Sequence, residues 1–133
     1  MFRLIKIENA RMNVPEPVFH EVTASEAVQL GEALVLTSGK LTKCGATAKP
    51  EFIAMADCAA DAAKRLIPVA RVEANQLYEV PVTAAPTSLV EGGKVTLHTD
   101  GMQVTATTTS GVVTVESLNG AAAAGDTIVV RIV

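Results

Sequence analysis

The sequence predicts an all-β protein, a small β-barrel or sandwich of about 8–10 short strands with an extended N-terminal arm. Three observations lead there. Apolar and polar residues alternate over short runs such as KVTLHT and TIVVRIV, the period of a half-buried strand. Glycine, proline, Asn and Asp recur between those runs at turn positions. Hydrophobic residues make up 49% of the 133, yet there is no Trp, one Tyr and three Phe, so the core must be built from small and β-branched side chains. Residues 1–17 are expected to be the arm and residues 18–133 a single β domain, a length that can bury a core without staples.

At the start, RLIKIE (residues 3–8) alternates and suits a strand. NARMNVPEP follows, where Pro15 and Pro17 lack backbone donors and favour extended chain running over a surface. RLIKIE therefore has two readings, a docking arm or the first strand of the body. VFHEVTA is the next strand, with Phe19, Glu21 and Thr23 on one face and Val18, His20 and Val22 on the other. ALVL, a turn at Ser38-Gly39 and KLTKC make a hairpin. PEFIAMA and RLIPVARV supply two more strands, with Pro68 marking an edge or a bulge in the second. Between them ADCAADAAKR (residues 56–65) has helical propensity but is too short to stand alone, and is expected to be a loop with at most one or two helical turns.

LYEVPVTA is a strand broken by Pro81. KVTLHTDGMQVTAT is a hairpin around Asp100-Gly101, a dipeptide suited to positive φ. GVVTVESL, the loop NGAAAAGD and TIVVRIV complete the chain, and the last strand should be stitched into a sheet. The order of elements also repeats. Residues 31–72 overlay residues 92–133, with Gly31 on Gly92, Leu36 on Leu97, Ile67 on Ile128 and Val69 on Val130. Two similar β units closing on one another are expected.

Composition bears on function as well. A net charge of −3 argues against nucleic acid, which needs a dense Lys/Arg field. No apolar run approaches the ~20 residues of a membrane-spanning helix, and MFRLIKIENARMN lacks the apolar core of a signal peptide, so synthesis in a cytoplasm is expected. Cys44 and Cys58 are too few for a disulfide framework and are read as free thiols in the interior.

Residues 92–111, GGKVTLHTDGMQVTATTTSG, hold the residue types of hydrolase and metal sites. Alternation puts Lys94, Thr96 and His98 on the wet face and Val95 and Leu97 inside, while Asp100 already has a turn role. Neither Ser38 nor Ser110 lies in a nucleophile-elbow pattern, and His20 and His98 are the only histidines available to a metal. GEALVLTSGK lacks phosphate-loop spacing, and Asp57, Asp61, Lys64 and Arg65 suit a solvated loop. No catalytic residue, metal or cofactor is expected.

Gly31, Ala33, Leu34, Leu36, Gly39 and Lys40, then Ile67 to Val72, Asp100, Gly101, Val104, Thr105, Gly125, Asp126 and Arg131 form a pattern over most of the chain. It resembles that of small head-decoration (capsid cement) proteins of tailed bacteriophages and prophages. The resemblance implies a structural protein on the outer face of the virion capsid, made in the host bacterial cytoplasm. It would bind the major capsid protein, often as a homotrimer, and would carry no catalytic residues. In that setting Phe2, Leu4, Ile5 and Ile7 are expected to give apolar contact with the capsid, and Arg3, Lys6 and Arg11 to meet acidic surface. A different class, a carbohydrate- or cell-surface-binding module of a phage tail or fibre, would have to stack sugar on Tyr78. An enzyme or enzyme subunit would have to use Cys44, Cys58 or His98.

Overall fold

Strands follow one another with no helix between them. The computed structural model describes residues 1–133. It contains β1 (Arg3–Ile7), β2 (Pro17–Glu21), β3 (Ala33–Thr37), β4 (Lys40–Lys43), β5 (Phe52–Ala54), β6 (Leu66–Arg71), β7 (Gln76–Pro81), β8 (Lys94–Val95), β9 (Val113–Ser117) and β10 (Thr127–Arg131). They form two five-stranded antiparallel sheets in a sandwich-like arrangement, ordered β2-β6-β5-β3-β4 and β1-β7-β10-β9-β8. The all-β class and the strand number are those the alternation predicts.

Each sheet curls back on itself. In the first, Val22 pairs in parallel with Leu41 of β4, at the opposite edge. In the second, Leu97 carries Val104 beside it, and Val104 pairs in parallel with Val82, just past β7. Beyond these closures the two sheets repeat one plan. The register Ala33↔Ile53 and Leu34↔Phe52 between β3 and β5 recurs as Lys94↔Thr114 and Val95↔Val113 between β8 and β9. Ile53↔Ala70 and Ala54↔Val69 recur as Thr114↔Arg131 and Val115↔Val130. Off the ladder, Gly31 N–H donates to the Ala54 carbonyl at 2.8 Å and Gly92 N–H to the Val115 carbonyl at 2.7 Å. Both glycines hold positive φ, 80° and 85°, where a side chain would be strained. All these correspondences keep the offset that takes Gly31 to Gly92.

Burial divides along the same plan. One core lies within the first sheet and includes Val22, Val28, Leu34, Leu41, Phe52, Ile67 and Val69. The other is built on Tyr78, Val80, Val95, Leu97, Val113, Val115, Ile128 and Val130 of the second unit. Ala33, Cys44 and Ile53 come from the first unit but pack into that second core. Odd and even positions of β3 and β5 thus serve different interiors, as period-2 strands allow.

Of the two readings of RLIKIE, the structure realises the strand. β1 pairs antiparallel with β7, with a bulge at Ile5. Phe2 is 2% exposed, sets its ring edge-on to Tyr78 at 6.2 Å and donates its N–H to the Gly31 carbonyl. Leu4 is half-buried against the same core, and Arg3 ion-pairs with Glu79. Apolar Phe2 and Leu4 gain more by filling this core than by lying free in water. The irregular residues 8–16 are tied down where Ile7 N–H reaches the Asn13 carboxamide oxygen at 2.9 Å. A compact 13.8 kDa body exposes about 6,600 Å², and this chain exposes 6690 Å².

Residues 56–65 form no helical turn. The Arg65 guanidinium takes the carbonyls of Ala59 and Ala60 at 2.9 and 3.1 Å, Asp57 accepts from Leu30 N–H at 2.7 Å, and Cys58 pairs with Val28. These contacts satisfy the loop's polar groups without an i→i−4 ladder, and the Ala59 carbonyl also accepts from Ala62 N–H at 3.1 Å, closing a tight turn. Pro68 stands in an interior strand rather than at an edge or bulge: it faces Phe19 across β2–β6. Its carbonyl accepts from Met55 N–H at 3.0 Å just past the last β5–β6 pair, Ala54↔Val69, so the donor it lacks is only the reciprocal bond at the end of that ladder.

Phe2→Ala should lower the unfolding free energy by about 3–5 kcal/mol in urea denaturation. A loss below about 1 kcal/mol would mean that β1 is a peripheral attachment.

Candidate functional site

The hairpin of residues 92–111 uses its polar groups on itself. His98 N–H donates to the Gln103 carbonyl at 2.9 Å and Thr105 N–H to the Thr96 carbonyl at 2.9 Å, which is the ladder of a short hairpin. Asp100 accepts from Met102 N–H and from the Gln103 amide, both at 2.8 Å, and lies 3.1 Å from His98 Nδ1. Burial pushes the Asp100 carboxyl up, but the hydrogen bonds from Gln103, Met102 and His98 outweigh it and hold the group below its ordinary value. Val95 and Leu97 are interior, as alternation predicts. Thr96 departs from the expected wet register: it is 6% exposed, with its hydroxyl 2.7 Å from that of Thr105. The paired hydroxyls satisfy one another, so a threonine can be buried there.

The other reactive side chains are dispersed. Cys44 lies in the second core, where burial and then the Glu51 charge push its thiol up to about 12. Cys58 lies in the first core, and both thiols are free. His98 is at the surface with 42% of its side chain exposed, and His20 stacks edge-on to Phe52 at 5.0 Å. No three His, Cys, Asp or Glu side chains are grouped to hold a metal ion.

Two arginines act as clamps. Arg65 also takes the Thr23 carbonyl at 2.8 Å and the Glu26 carbonyl, joining residues 22–26 to the 59–60 loop. Arg131 makes paired hydrogen bonds to Glu8 at 3.0 and 3.1 Å and to Glu116 at 3.2 and 3.3 Å, so β10 holds the end of β1 and its own neighbour β9 together. The hydrogen bond to Arg131 holds the Glu8 carboxyl below its ordinary value. Glu32 is the strained counterpart. It is 2% exposed, and one oxygen accepts from Gln29 N–H at 2.9 Å. The other has no hydrogen-bond partner and lies 3.8 Å from Lys43 Nζ, while the Glu26 and Asp100 charges also act on the group. Burial raises its carboxyl, against the Gln29 hydrogen bond and the Lys43 charge.

What the surface does gather is apolar. By register, Pro17, Phe19 and Glu21 of β2 share a face with Ala70, Pro68 and Leu66 of β6. Phe19 is 57% exposed and Leu66 50%. Where Ala70 lies, this face runs into an open groove of about 240 Å³ between β1 and the first sheet, lined by Met1, Leu30, Met55 and Pro15 among others. Glu21 is the one charged side chain among these six, and it is exposed.

The seven arm residues are placed as follows. Phe2 is core, and Leu4, Ile5 and Ile7 are half-buried in or beside β1. Arg3, Lys6 and Arg11 are exposed, with Arg3 engaged by Glu79. Leu30, Met55 and Leu66 had no distinguishing mark in the sequence. Phe19 had one, because it shares the polar register of its strand with Glu21 and Thr23. Comparison with protein-family models, with curated proteins and with solved structures finds no match to this chain.

Because the folded state disfavours charged Glu32, its penalty is absent below the ordinary carboxyl value of 4.5 and grows as pH rises through the raised folded value. Glu32→Gln keeps an acceptor for Gln29 and should therefore be more stable than wild type at pH 7, by on the order of 1 kcal/mol, with the gain vanishing near pH 4. Urea midpoints at the two pH values check this. A variant weaker at both would show that the Lys43 pairing outweighs the burial.

Proposed function

We propose that this protein is a structural binding module that attaches to the outer surface of a phage capsid, with the major capsid protein as its partner. The observation that carries the reading is the exposed apolar face of Phe19, Pro68 and Leu66 running into the Met1–Leu30–Met55 groove. It lies on a sheet stiffened from behind by its own core, so little conformational freedom is lost when it is covered. The capsid as the particular partner rests on the sequence pattern from Gly31 to Arg131. On a shell, many copies engage at once, and modest contacts add up through multivalency.

The contact residues shift from those expected of a free arm. Phe2 and Leu4 are engaged inside the molecule, which leaves Leu30, Phe19 and Leu66 as the apolar contacts, with Lys6 and Arg11 exposed nearby in sequence to β1. The sugar-binding alternative loses its platform, since Tyr78 is fully buried and donates its hydroxyl hydrogen to Gln76 at 2.7 Å.

Purification of the tagged chain from cells in which it is made should yield icosahedral particles by negative stain, with one coat protein dominating the mass spectrum. Leu30→Asp with Leu66→Asp should fold, as judged by circular dichroism, and lose at least about tenfold in particle binding. Full binding by the folded double variant, or glycan binding without particles, would overturn the reading.

A further inference from the structure

The repeated plan leaves one position filled in the second unit and empty in the first. Strand β7 corresponds to β2, since Tyr78↔Val130 in β7–β10 matches Val18↔Val69 in β2–β6. The ends of the two strands agree too: Val82 N–H donates to the Asp126 carbonyl and Val22 N–H to the Arg65 carbonyl, at 3.0 and 2.9 Å. Thr83 N–H then turns to the Val104 carbonyl, and Thr23 N–H to the Leu41 carbonyl. On the outer side of β7, residues 76–79 are covered by β1. The corresponding stretch of β2, around Glu16 to Phe19, has no strand beside it.

Burial records the difference. Tyr78 and Val80, beneath β1, are 0% exposed, whereas their counterparts Val18 and His20 are only half-buried. The backbone records it as well. With Val22 bonded inward and Thr23 outward, ladder alternation turns the N–H and C=O of Val18 and His20 toward β6, and those of Phe19 and the carbonyl of Pro17 toward the open side. Pro17 and Pro68 sit where neither deprives the β2–β6 ladder of a donor, which fits this assignment. An open edge of this kind is the template for strand addition.

We infer that the outer side of β2 is a docking edge for an extended segment of a partner protein, one that alternates apolar and basic residues as β1 itself does. The occupant of the filled position is RLIKI, whose Arg3 meets Glu79 and whose Leu4 goes inward with the preceding Phe2. In the empty position Phe19 stands where Glu79 stands in the filled one, and the acidic groups lie at the two ends. Exposed Glu16 and Glu21 flank it, Glu21 being shared with Lys40 at 3.2 Å, half-buried Val18 lies on the inner face, and exposed Phe19 lies on the outer. Docking would give backbone hydrogen bonds to Phe19 and Pro17, cover Val18 and His20, and complete the first core as β1 completes the second. The inference stands whether or not the protein that carries this segment is a capsid protein.

A synthetic acetylated peptide of residues 1–8, MFRLIKIE, is the probe, titrated into the full-length protein and followed by amide chemical shifts and hydrogen exchange. Binding should be sub-millimolar, as for a short added strand with Kd on the order of 100 µM, with shifts at Val18–His20 and slowed exchange at Phe19. Phe19→Pro removes the outward donor while leaving the β2–β6 ladder intact, and should weaken binding at least about tenfold. Phe19→Lys, which keeps the backbone and sets a cation beside Arg3 and Lys6 of the peptide, should weaken it in a salt-dependent way. Shifts confined to β7 would mean exchange with β1 and would overturn the inference. So would peptide binding unchanged in both variants. Concentration-dependent protection of Phe19 in the protein alone would assign the edge to a second copy and overturn it equally.

Discussion

Ala33, Cys44 and Ile53 turn away from the interior of their own unit and complete the interior of the other. Almost everything else depends on that exchange. Units of this length bury a modest share of their surface and are marginal alone, and the first core is the smaller of the two. Backbone hydrogen bonds follow the shared packing, from Ala33 N–H to the Gly101 carbonyl at 2.8 Å and from Leu97 N–H to the Ala46 carbonyl at 3.0 Å. The two sheets are therefore one body, although each follows its own repeat.

That arrangement explains which surfaces are left over. The outer face of the first sheet is divided between Ala33, Ile53 and Ala70, which are covered, and Pro68, Phe19 and Leu66, which are not. Phe19 and Leu66 stand exposed there beside half-buried Pro68. The polar residues that looked most like chemistry have roles within the fold. Asp100 shapes a turn, Thr96 and Thr105 satisfy each other, and Arg65 and Arg131 hold loops and strands in place.

The repeat is also where the two units diverge most informatively. Arg65 and Asp126 occupy equivalent positions, and each organises the Ala-rich loop before it with opposite chemistry. Arg65 collects the carbonyls of Ala59 and Ala60, while Asp126 accepts the N–H groups of Ala122 and Ala123 at 2.9 Å. The same closing strand can thus follow a loop of either polarity. The N-terminal strand is the larger divergence, present on β7 and absent from β2.

Much of this was legible in the residues. Period-2 alternation identified the strands, Asp100-Gly101 and Ser38-Gly39 placed the turns, and the offset between Gly31 and Gly92 exposed the repeat, because each depends on neighbours in the chain and on backbone geometry that particular residues prefer. The candidate surface was legible only at Phe19. What tertiary structure alone decided were long-range matters. RLIKI became a strand because β7 offered an edge and Tyr78 a surface for Phe2. Residues 56–65 are the loop the sequence predicts, and tertiary contacts place it: Arg65 takes the Thr23 carbonyl, Cys58 pairs with Val28 and Asp57 accepts from Leu30 N–H. Thr96 was buried because Thr105 faced it. Alternation tells which side chains share a face of a strand, but which faces are covered depends on segments far apart in sequence, whose meeting no local pattern encodes.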